Sequence, residues 1–231
     1  MDVILSTEGL CRDFKIGDGS IVSALKNINI EIEKGRLTIL RGRSGSGKTT
    51  LINILGALDK PTKGKVMFGG KDITRLSEKK RDEIRRYEMS FVFQSVALMS
   101  GMTAYENVEF GLRLAKYPYD QRDKRVREVL KNVNLDKRMF HRPGEMSGGE
   151  QQRIAIMRAI INKPQILLAD EPTGNLDKEN SQTIMNLFER LNKQGMTIVM
   201  VTHDTSLAKY GTRVVRVEDG RIIEKGKEIL K

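Results

Sequence analysis

The chain has 231 residues, of which 39% are hydrophobic and 31% are charged, a composition typical of a folded globular domain with its own core. This length allows one large domain, or one domain that carries a small insert. No apolar run approaches the roughly 18 residues of a membrane-spanning helix. The single cysteine excludes an internal disulfide, and the N-terminus lacks the apolar run of a signal peptide. We therefore expect a cytoplasmic protein.

The basic charge, +11 from 41 Lys and Arg against 30 Asp and Glu, fits three classes of anionic partner: nucleic acid, a membrane surface or a polyphosphate ligand. The densest basic stretch, residues 79–86, also contains acidic residues and is typical of a solvated helix face. No aromatic residues are interleaved with it and the chain has no tryptophan, which argues against a single-strand nucleic-acid platform. Charge alone does not choose among these classes.

The N-terminal thirty or so residues, with apolar and polar positions alternating over 24–32, predict a β-hairpin. Three later apolar segments, 37–42, 165–171 and 197–204, each end in polar residues. Their continuous apolar character favours strands that are buried on both faces of a parallel sheet. The stretch between the last two segments has apolar residues at helical spacing, namely Ile184, Leu187, Phe188 and Leu191. This strand–helix–strand alternation predicts a doubly wound α/β core.

A different pattern extends from about 103 to 161. Capping boxes at 103–106 and 147–150 predict the first turns of two helices. A helix between them is indicated by an apolar stripe at Val126, Val129, Leu130 and Val133. A run of helices between strands predicts an inserted helical subdomain. Near the C-terminus, Asp219-Gly220 separates two short apolar stretches within 212–226 and predicts a second hairpin.

The segment 42–49 fits the phosphate-loop pattern G-x-x-x-x-G-K-[ST], and it follows a predicted strand and precedes an apolar helix. Its glycines let backbone amides turn towards phosphate oxygens, and the helix N-terminus adds positive potential. We expect Lys48 to reach the β- and γ-phosphates and Thr49 to bind Mg²⁺. The predicted nucleotide contacts are Gly42, Arg43, Ser44, Gly45, Ser46, Gly47, Lys48, Thr49 and Thr50.

Two carboxylates, Asp170 and Glu171, follow the predicted strand at 165–171. Asp170 is expected to hold Mg²⁺ through water, and Glu171 to orient and deprotonate the attacking water as a general base. Two acids at a strand end often face solvent without any function. A phosphate loop elsewhere in the same chain makes the metal and base roles the better interpretation.

The segment 147–151 could be no more than a well-capped helix start. Together with the phosphate loop and the ADEPTGNLD stretch at 169–177, however, it resembles the ATP-binding cassette (ABC) family. The family's signature motif is matched by Ser147, Gly148, Gly149, Glu150 and Gln151, which we name the signature segment. The resemblance implies that this segment contacts the γ-phosphate of ATP bound to the phosphate loop of a second subunit. The resemblance therefore also implies a homodimer that closes around two Mg-ATP.

The resemblance covers nearly the whole chain and implies further roles. Phe14 matches the aromatic residue that stacks on adenine, with a core phenylalanine as the alternative. Gln94 matches the glutamine that joins Mg²⁺ and the attacking water to the membrane partner. Asp177 matches the loop that reaches across the dimer interface. His203 matches the switch histidine at the γ-phosphate, with a plain strand-end histidine as the alternative.

The implied fold is a single domain over 1–231 with a P-loop NTPase core at 1–94 and 162–231. It has a mostly parallel sheet, an N-terminal antiparallel β subdomain and a helical subdomain at about 95–161. The implied catalytic residues are Lys48, Gln94, Glu171 and His203. The implied metal ligands are Thr49, Gln94 and Asp170, and the implied cofactors are ATP and Mg²⁺.

A finer resemblance, over 42–64, 103–108 and 169–177, is to the branch that includes lipoprotein-release, macrolide and peptide export, and cell-division members. In this family an integral membrane permease subunit is contacted near Gln94 to Met102. Here 95–102 departs from the usual leucine- and proline-rich pattern. It is either an exposed groove wall, with Leu98 and Met99 as adaptable contacts, or simply a loop. We expect a location on the inner face of the cell membrane through this partner, and no specific nucleic-acid binding.

Three alternatives share these motifs. A DNA-repair or chromosome-structural ATPase would carry long coiled coils, and this sequence has no sustained heptads. A translation factor of two cassettes would carry two phosphate loops, and only one is present. A cell-division regulator of cell-wall cutting stays open from the sequence, as do the transported substrate and the direction of transport.

Overall fold

The computed structural model describes residues 2–223, in which the chain forms two β-sheets and six α-helices. The strands are β1 (Val3–Lys15), β2 (Ile21–Glu33), β3 (Leu37–Arg41), β4 (Lys63–Phe68), β5 (Lys71–Asp72), β6 (Met89–Val92), β7 (Ile166–Asp170), β8 (Thr197–Thr202), β9 (Arg213–Glu218) and β10 (Arg221–Ile223). The α-helices are α1 (Lys48–Leu55), α2 (Glu78–Tyr87), α3 (Ala104–Leu114), α4 (Tyr119–Lys131), α5 (Gly148–Ile160) and α6 (Lys178–Lys193). Within 2–223, no helix combines the length and the apolar character that crossing a bilayer requires.

The larger sheet has the strand order β10-β9-β3-β8-β7-β6, and all its pairings are parallel except that of β9 with β10. The register aligns Arg41 with Thr202 and Asp170 with Val201. Strands β3, β7 and β8 therefore end at the same edge of the sheet. The predicted mostly parallel α/β core is confirmed.

The continuous apolar runs arise because this sheet is covered on both faces. Along β7, Leu167 and Ala169 pack with the helices α3 to α6, whereas Ile166 and Leu168 pack on the opposite side with α1. Alternate residues of a strand point to opposite faces, so burial of both faces requires apolar residues throughout. The hydrophobic core therefore has two layers, one on each face of the larger sheet.

The smaller sheet has the order β2-β1-β4-β5 and is antiparallel. Strands β1 and β2 pair along their whole length, from Val3 opposite Glu33 to Lys15 opposite Ile21, which confirms the predicted N-terminal hairpin. Helix α1 lies between the two sheets, because its buried residues share a cluster with residues of both. The phosphate loop that precedes α1 is thus enclosed by two sheets.

Helices α3, α4 and α5 lie in the chain between β6 and β7. Both predicted capping boxes are present: Thr103 Oγ1 accepts from the Glu106 amide, and Ser147 Oγ accepts from the Glu150 amide. Three residues of the predicted stripe are buried on α4, while Val133 is buried just after the helix ends.

The basic stretch 79–86 on α2 is mostly exposed, as expected for a solvated helix face. Arg81 is the buried exception: its side chain is buried, and its Nε donates to the carbonyl oxygen of Ala57 at 2.9 Å. In the loop 95–102, Leu98 is half-buried against the helical core, and Met99 is half-buried too. The buried amide of Asn107 holds this loop, since it donates to the Met99 carbonyl at 3.1 Å and accepts from the Met99 amide at 2.9 Å.

The predicted C-terminal hairpin is present over β9 and β10. Its turn has φ of 46° at Asp219 and 75° at Gly220, the left-handed conformation that an Asp-Gly turn requires. The remainder of the predicted hairpin, 224–226, lies outside the described residues. So do the ends of the predicted single domain, residue 1 and 224–231.

Candidate active site

The phosphate loop joins β3 to α1 and is held in place by close backbone packing. A Cβ atom at Gly42 would lie 2.1 Å from the Val217 carbonyl oxygen, and one at Gly47 would lie 2.5 Å from the Ala24 carbonyl oxygen. The amide of Gly220 also donates to the carbonyl of Ser46 at 3.1 Å. Gly45 and Gly47 have φ of 78° and 97°, a left-handed conformation that favours glycine. Strands β2 and β9 therefore shape this loop.

Lys48 is only 5% exposed, and its Nζ donates to the carbonyl oxygens of Gly42 and Arg43, each at 2.8 Å. Burial lowers the pKa of Lys48, and the carboxylates of Glu171 and Asp170 counteract this shift by stabilising the cation. The ammonium group is thus held inside the loop with carboxylates nearby.

Asp170 is the last residue of β7, and the Thr49 hydroxyl donates to its Oδ1 at 3.4 Å. Burial raises the pKa of Asp170, whereas the bond from Thr49 lowers it. The next residue, Glu171, has φ of 48°, a conformation rare for a residue other than glycine. Its Oε2 lies 2.8 Å from His203 Nδ1, just beyond the end of β8. The carboxylate is thereby oriented by the imidazole.

A cavity of about 450 Å³ opens over the loop, and we name it the phosphate cavity. Nine of the predicted site residues line it, namely Ser44, Gly45, Gly47, Lys48, Thr49, Thr50, Gln94, Glu171 and His203. The parallel sheet brings them together from four separate chain segments. Ala24 of β2 also lines this cavity and was not predicted. In the sequence, Ala24 is marked only by its position in an alternating strand, and its methyl side chain gives no indication of a binding role.

The other predicted residues lie outside the phosphate cavity. Phe14 is 39% exposed on β1, with the Arg12 guanidinium 4.4 Å from its ring centroid. Its exposure rules out the core-phenylalanine alternative. The signature segment caps and begins α5, and Asp177 caps α6 by accepting from the Asn180 amide. Arg43 contributes its carbonyl to Lys48.

The donor set fits Mg²⁺. Thr49 and Asp170 present hard oxygen atoms next to each other, and Gln94 lines the phosphate cavity together with Thr49. Mg²⁺ is usually held by one or two carboxylates together with substrate phosphates and water. Correspondingly, residues 2–223 contain no cluster of three or more His, Cys, Asp and Glu side chains that could hold a metal alone.

Two contacts near Gln94 were not predicted from the sequence. The Asn175 side chain donates to the Gln94 carbonyl at 3.4 Å, and a Cβ atom at Gly174 would lie 3.1 Å from Gln94 Nε2. Both residues belong to the ADEPTGNLD stretch, but nothing in their residue types indicates a contact with a segment 80 or so positions earlier. The strand–loop–helix unit, the buried lysine and the adjacent acids define a P-loop nucleoside triphosphatase.

Comparison with known proteins shows which family of P-loop nucleoside triphosphatases this chain resembles. The ABC transporter family model matches residues 25–174. An uncharacterized ABC transporter ATP-binding protein of Thermotoga maritima is 46% identical over 201 residues, which are 87% of this chain and 86% of that protein. The macrolide export ATP-binding/permease protein MacB of Vibrio parahaemolyticus is 41% identical over 222 residues. The match covers 96% of this chain but only 34% of MacB.

Among solved structures, a dimeric, post-hydrolysis form of the ATP-binding cassette MJ0796, bound to ADP and Pi, has a TM-score of 0.89 at 39% identity. The match covers 99% of both chains. The chain belongs to the ABC transporter family, and it binds and hydrolyses ATP. The predicted family, the P-loop NTPase fold and the likeness to the macrolide-export branch are confirmed.

The Thr49–Asp170 pair predicts a metal-specific defect. Thr49→Val removes the hydroxyl with little change of shape, so the gain in ATP affinity on adding Mg²⁺ should fall at least about tenfold. Fluorescence titration with ATP, with Mg²⁺ and then with EDTA, measures this gain. Binding in EDTA should stay within about twofold of the parent. Thr183→Val, at an exposed hydroxyl on α6, is the matched control. An unchanged Mg²⁺ effect in Thr49→Val would show that this hydroxyl does not serve the metal.

Proposed function

We propose that the chain is the ATP-hydrolysing subunit of an export-type ABC transporter. Two copies close head to tail around two Mg-ATP and drive a separate integral membrane protein. One observation carries the dimer: the solved cassette that matches 99% of this chain at 39% identity is itself dimeric. In agreement with this, the signature segment is not among the described residues that line the phosphate cavity of its own chain. A second chain is the proposed source of that segment.

The signature segment has the chemistry of an anion site. Ser147 Oγ accepts from the Glu150 amide, and the Ser147 carbonyl accepts from the Gln151 amide. The first-turn amides of Gly148 and Gly149 have no acceptor within the helix, and the helix dipole adds positive potential there. We assign these two amides and the Ser147 hydroxyl to the γ-phosphate of ATP on the partner's loop.

Within one phosphate cavity, we assign the ATP phosphates to the loop amides and to Lys48. In the closed site its ammonium would exchange the loop carbonyls of Gly42 and Arg43 for phosphate oxygens. Thr49, Asp170 and Gln94 would hold Mg²⁺, which when bound neutralises phosphate charge. Phosphoryl transfer depends mainly on positioning and electrostatic stabilisation, so a preformed cavity is the main requirement.

Glu171 is the proposed general base for the attacking water. Its carboxylate lies in the phosphate cavity and 2.8 Å from His203 Nδ1, which fixes its orientation. His203 lines the same cavity, which supports its proposed contact with the γ-phosphate. Phe14, exposed on β1, is the proposed adenine platform. Asp177 is the proposed interface residue at the start of α6.

A second concavity of about 510 Å³, the aromatic groove, is our proposed docking site for the membrane partner. The stacked rings of Phe91 and Phe93, 4.6 Å between centroids, form part of its apolar lining. Exposed Leu58 and Leu114 also line it. Its charged side chains are Arg85, Arg86, Arg158 and Asp82. An apolar surface of this kind is typical of an interaction site, and the excess of guanidinium groups suits an apolar segment that carries acidic residues.

This groove replaces Leu98 and Met99 as the proposed apolar contacts, because both side chains are half-buried. The region from Gln94 to Met102 still borders it, since Arg158, which lines the groove, donates to the Val96 carbonyl at 3.4 Å. We therefore propose that 95–161 acts as a helical subdomain that transmits ATP-driven closure to the partner. MacB is an ATP-binding/permease protein of which this chain spans 34%, which supports a permease as partner. The same partner would place the chain on the inner face of the cell membrane.

Hydrolysis should depend on Glu171 while nucleotide binding does not. Glu171→Gln should lower kcat by about 10²–10⁴-fold, which is the usual contribution of a general base. The variant should still bind Mg-ATP and accumulate as a dimer in size-exclusion chromatography. Glu179→Gln, at an acid in the first turn of α6, is the control. A Glu171→Gln protein that hydrolyses ATP at the parent rate would contradict the assignment of the base.

Leu58→Asp with Leu114→Asp should prevent recovery of the chain with membranes of its native host, because two charges would enter the apolar lining. Tyr119→Asp, at a side chain that is 83% exposed on α4 and outside the groove, should be recovered like the parent. Thermal stabilisation by Mg-ATP checks that each variant is folded. Equal recovery of the groove variant would reject this docking site. Salt-resistant duplex DNA binding that stimulates hydrolysis would instead favour the repair-type alternative.

A further inference from the structure

The first turns of α5 and α6 touch each other through Asn180. A Cβ atom at Gly149, in the signature segment, would lie 2.0 Å from Asn180 Oδ1 and 2.5 Å from Asn180 Cγ. A Cβ atom at Gly148 would lie 3.4 Å from Leu176 Cδ2. Real Cβ atoms do not approach side-chain atoms to 2.0 Å, so only glycine fits at 149 while Asn180 keeps this position.

Gly149 does not need to be glycine for its own backbone. It lies within α5, and it is not among the glycines with positive φ. Glycine is less favourable than alanine inside a helix, so the helix alone would favour alanine. The requirement for glycine at 149 therefore comes from the Asn180 side chain and not from the helix.

Asn180 is itself held firmly by Asp177. The Asp177 carboxylate accepts from the Asn180 amide at 2.7 Å and from Asn180 Nδ2 at 2.8 Å. These two bonds keep the pKa of Asp177 below its ordinary value. The bond from Nδ2 sets the orientation of the Asn180 side chain and leaves its Oδ1 facing Gly149. In this orientation the side chain blocks the space that a Cβ atom at 149 would need.

Asp177 ends a compact segment that begins at Glu171. The Gly174 amide donates to the Glu171 carbonyl at 3.0 Å, and the Leu176 amide donates to the Thr173 carbonyl at 3.1 Å. Through Asp177 and Asn180, this segment reaches the signature segment of the same chain. The proposed general base and the proposed γ-phosphate contacts are thus joined by short, specific contacts.

We propose that Asn180 is a positioning residue that fixes the first turn of the signature segment to the segment carrying Glu171. This inference rests on the proposed function, in which Glu171 and the signature segment of one chain serve opposite ATP sites. A shift of Glu171 at one site then moves the signature segment at the other. Asn180 is assigned no contact with ATP.

The test is a double-mutant cycle in Glu171→Gln protein, with ATP-driven dimerisation measured by analytical ultracentrifugation. Gly149→Ala should weaken dimerisation at least about tenfold, because its methyl group displaces Asn180. Adding Asn180→Ala should recover most of that loss by making room. Asn180→Ala alone should weaken dimerisation less than Asn180→Asp, which places a second carboxylate beside Asp177.

The affinity of the monomer for Mg-ATP should stay within about twofold in all of these variants, a result that general unfolding would not give. Asn186→Ala, at an exposed position of α6, is the control.

A Gly149→Ala/Asn180→Ala protein as impaired as Gly149→Ala would overturn the inference, and so would Asn180→Ala with parent-like dimerisation. If the proposed function itself is wrong, the Glu171→Gln protein without further changes does not dimerise with ATP. This result distinguishes that failure from failure of the inference about Asn180. In that case the same cycle is measured on urea unfolding of nucleotide-free protein. Additive effects there would reject the Asn180–Gly149 contact itself, and non-additive effects would retain it.

Discussion

The parallel pairing of β3, β8 and β7 is the constraint on which the site depends. Lys48 follows β3, Glu171 follows β7 and His203 follows β8, and the strand register brings these three ends to one edge of the sheet. Each strand is buried on both faces and is followed by polar residues, so a shift of register that carried those polar groups into the buried layers would be strongly disfavoured. The energy that fixes the catalytic geometry therefore comes from burial of apolar side chains well away from the phosphates.

Glycine in this protein is required by protein contacts as much as by the ligand. Gly42 and Gly47 meet carbonyl oxygens of neighbouring strands, and Gly149 meets the Asn180 side chain. Backbone packed this closely has few ways to move independently of its surroundings. The phosphate loop is thus tied to β2 and β9, and the signature segment to the start of α6. Motion of either segment would have to involve its neighbours.

The sequence predicts the fold and the phosphate loop well, because both depend on local patterns, whereas Gln94 and His203 were predicted only through the family resemblance. A loop of fixed spacing between a strand and a helix, or a capping box, is complete within a few residues. The aromatic groove was missed because Leu58, Phe93 and Leu114 come together only in the folded chain. The half-burial of Leu98 could not be predicted from the sequence, because it depends on the amide of Asn107, which draws this loop against the helical core. Asn180 carries no sequence signal, since its importance lies in a neighbour 31 positions earlier.

The central claim is that each ATP site is completed by a second chain, and tethered heterodimers test it most directly. With Lys48→Ala on one chain and Ser147→Arg on the other, both defects fall at the same site and one site stays intact. With both changes on a single chain, each site carries one defect. The account predicts that the split pair retains one nucleotide in a closed, slowly exchanging site and that the single-chain pair retains none. A single-chain pair that traps nucleotide at least as well as the split pair would contradict it.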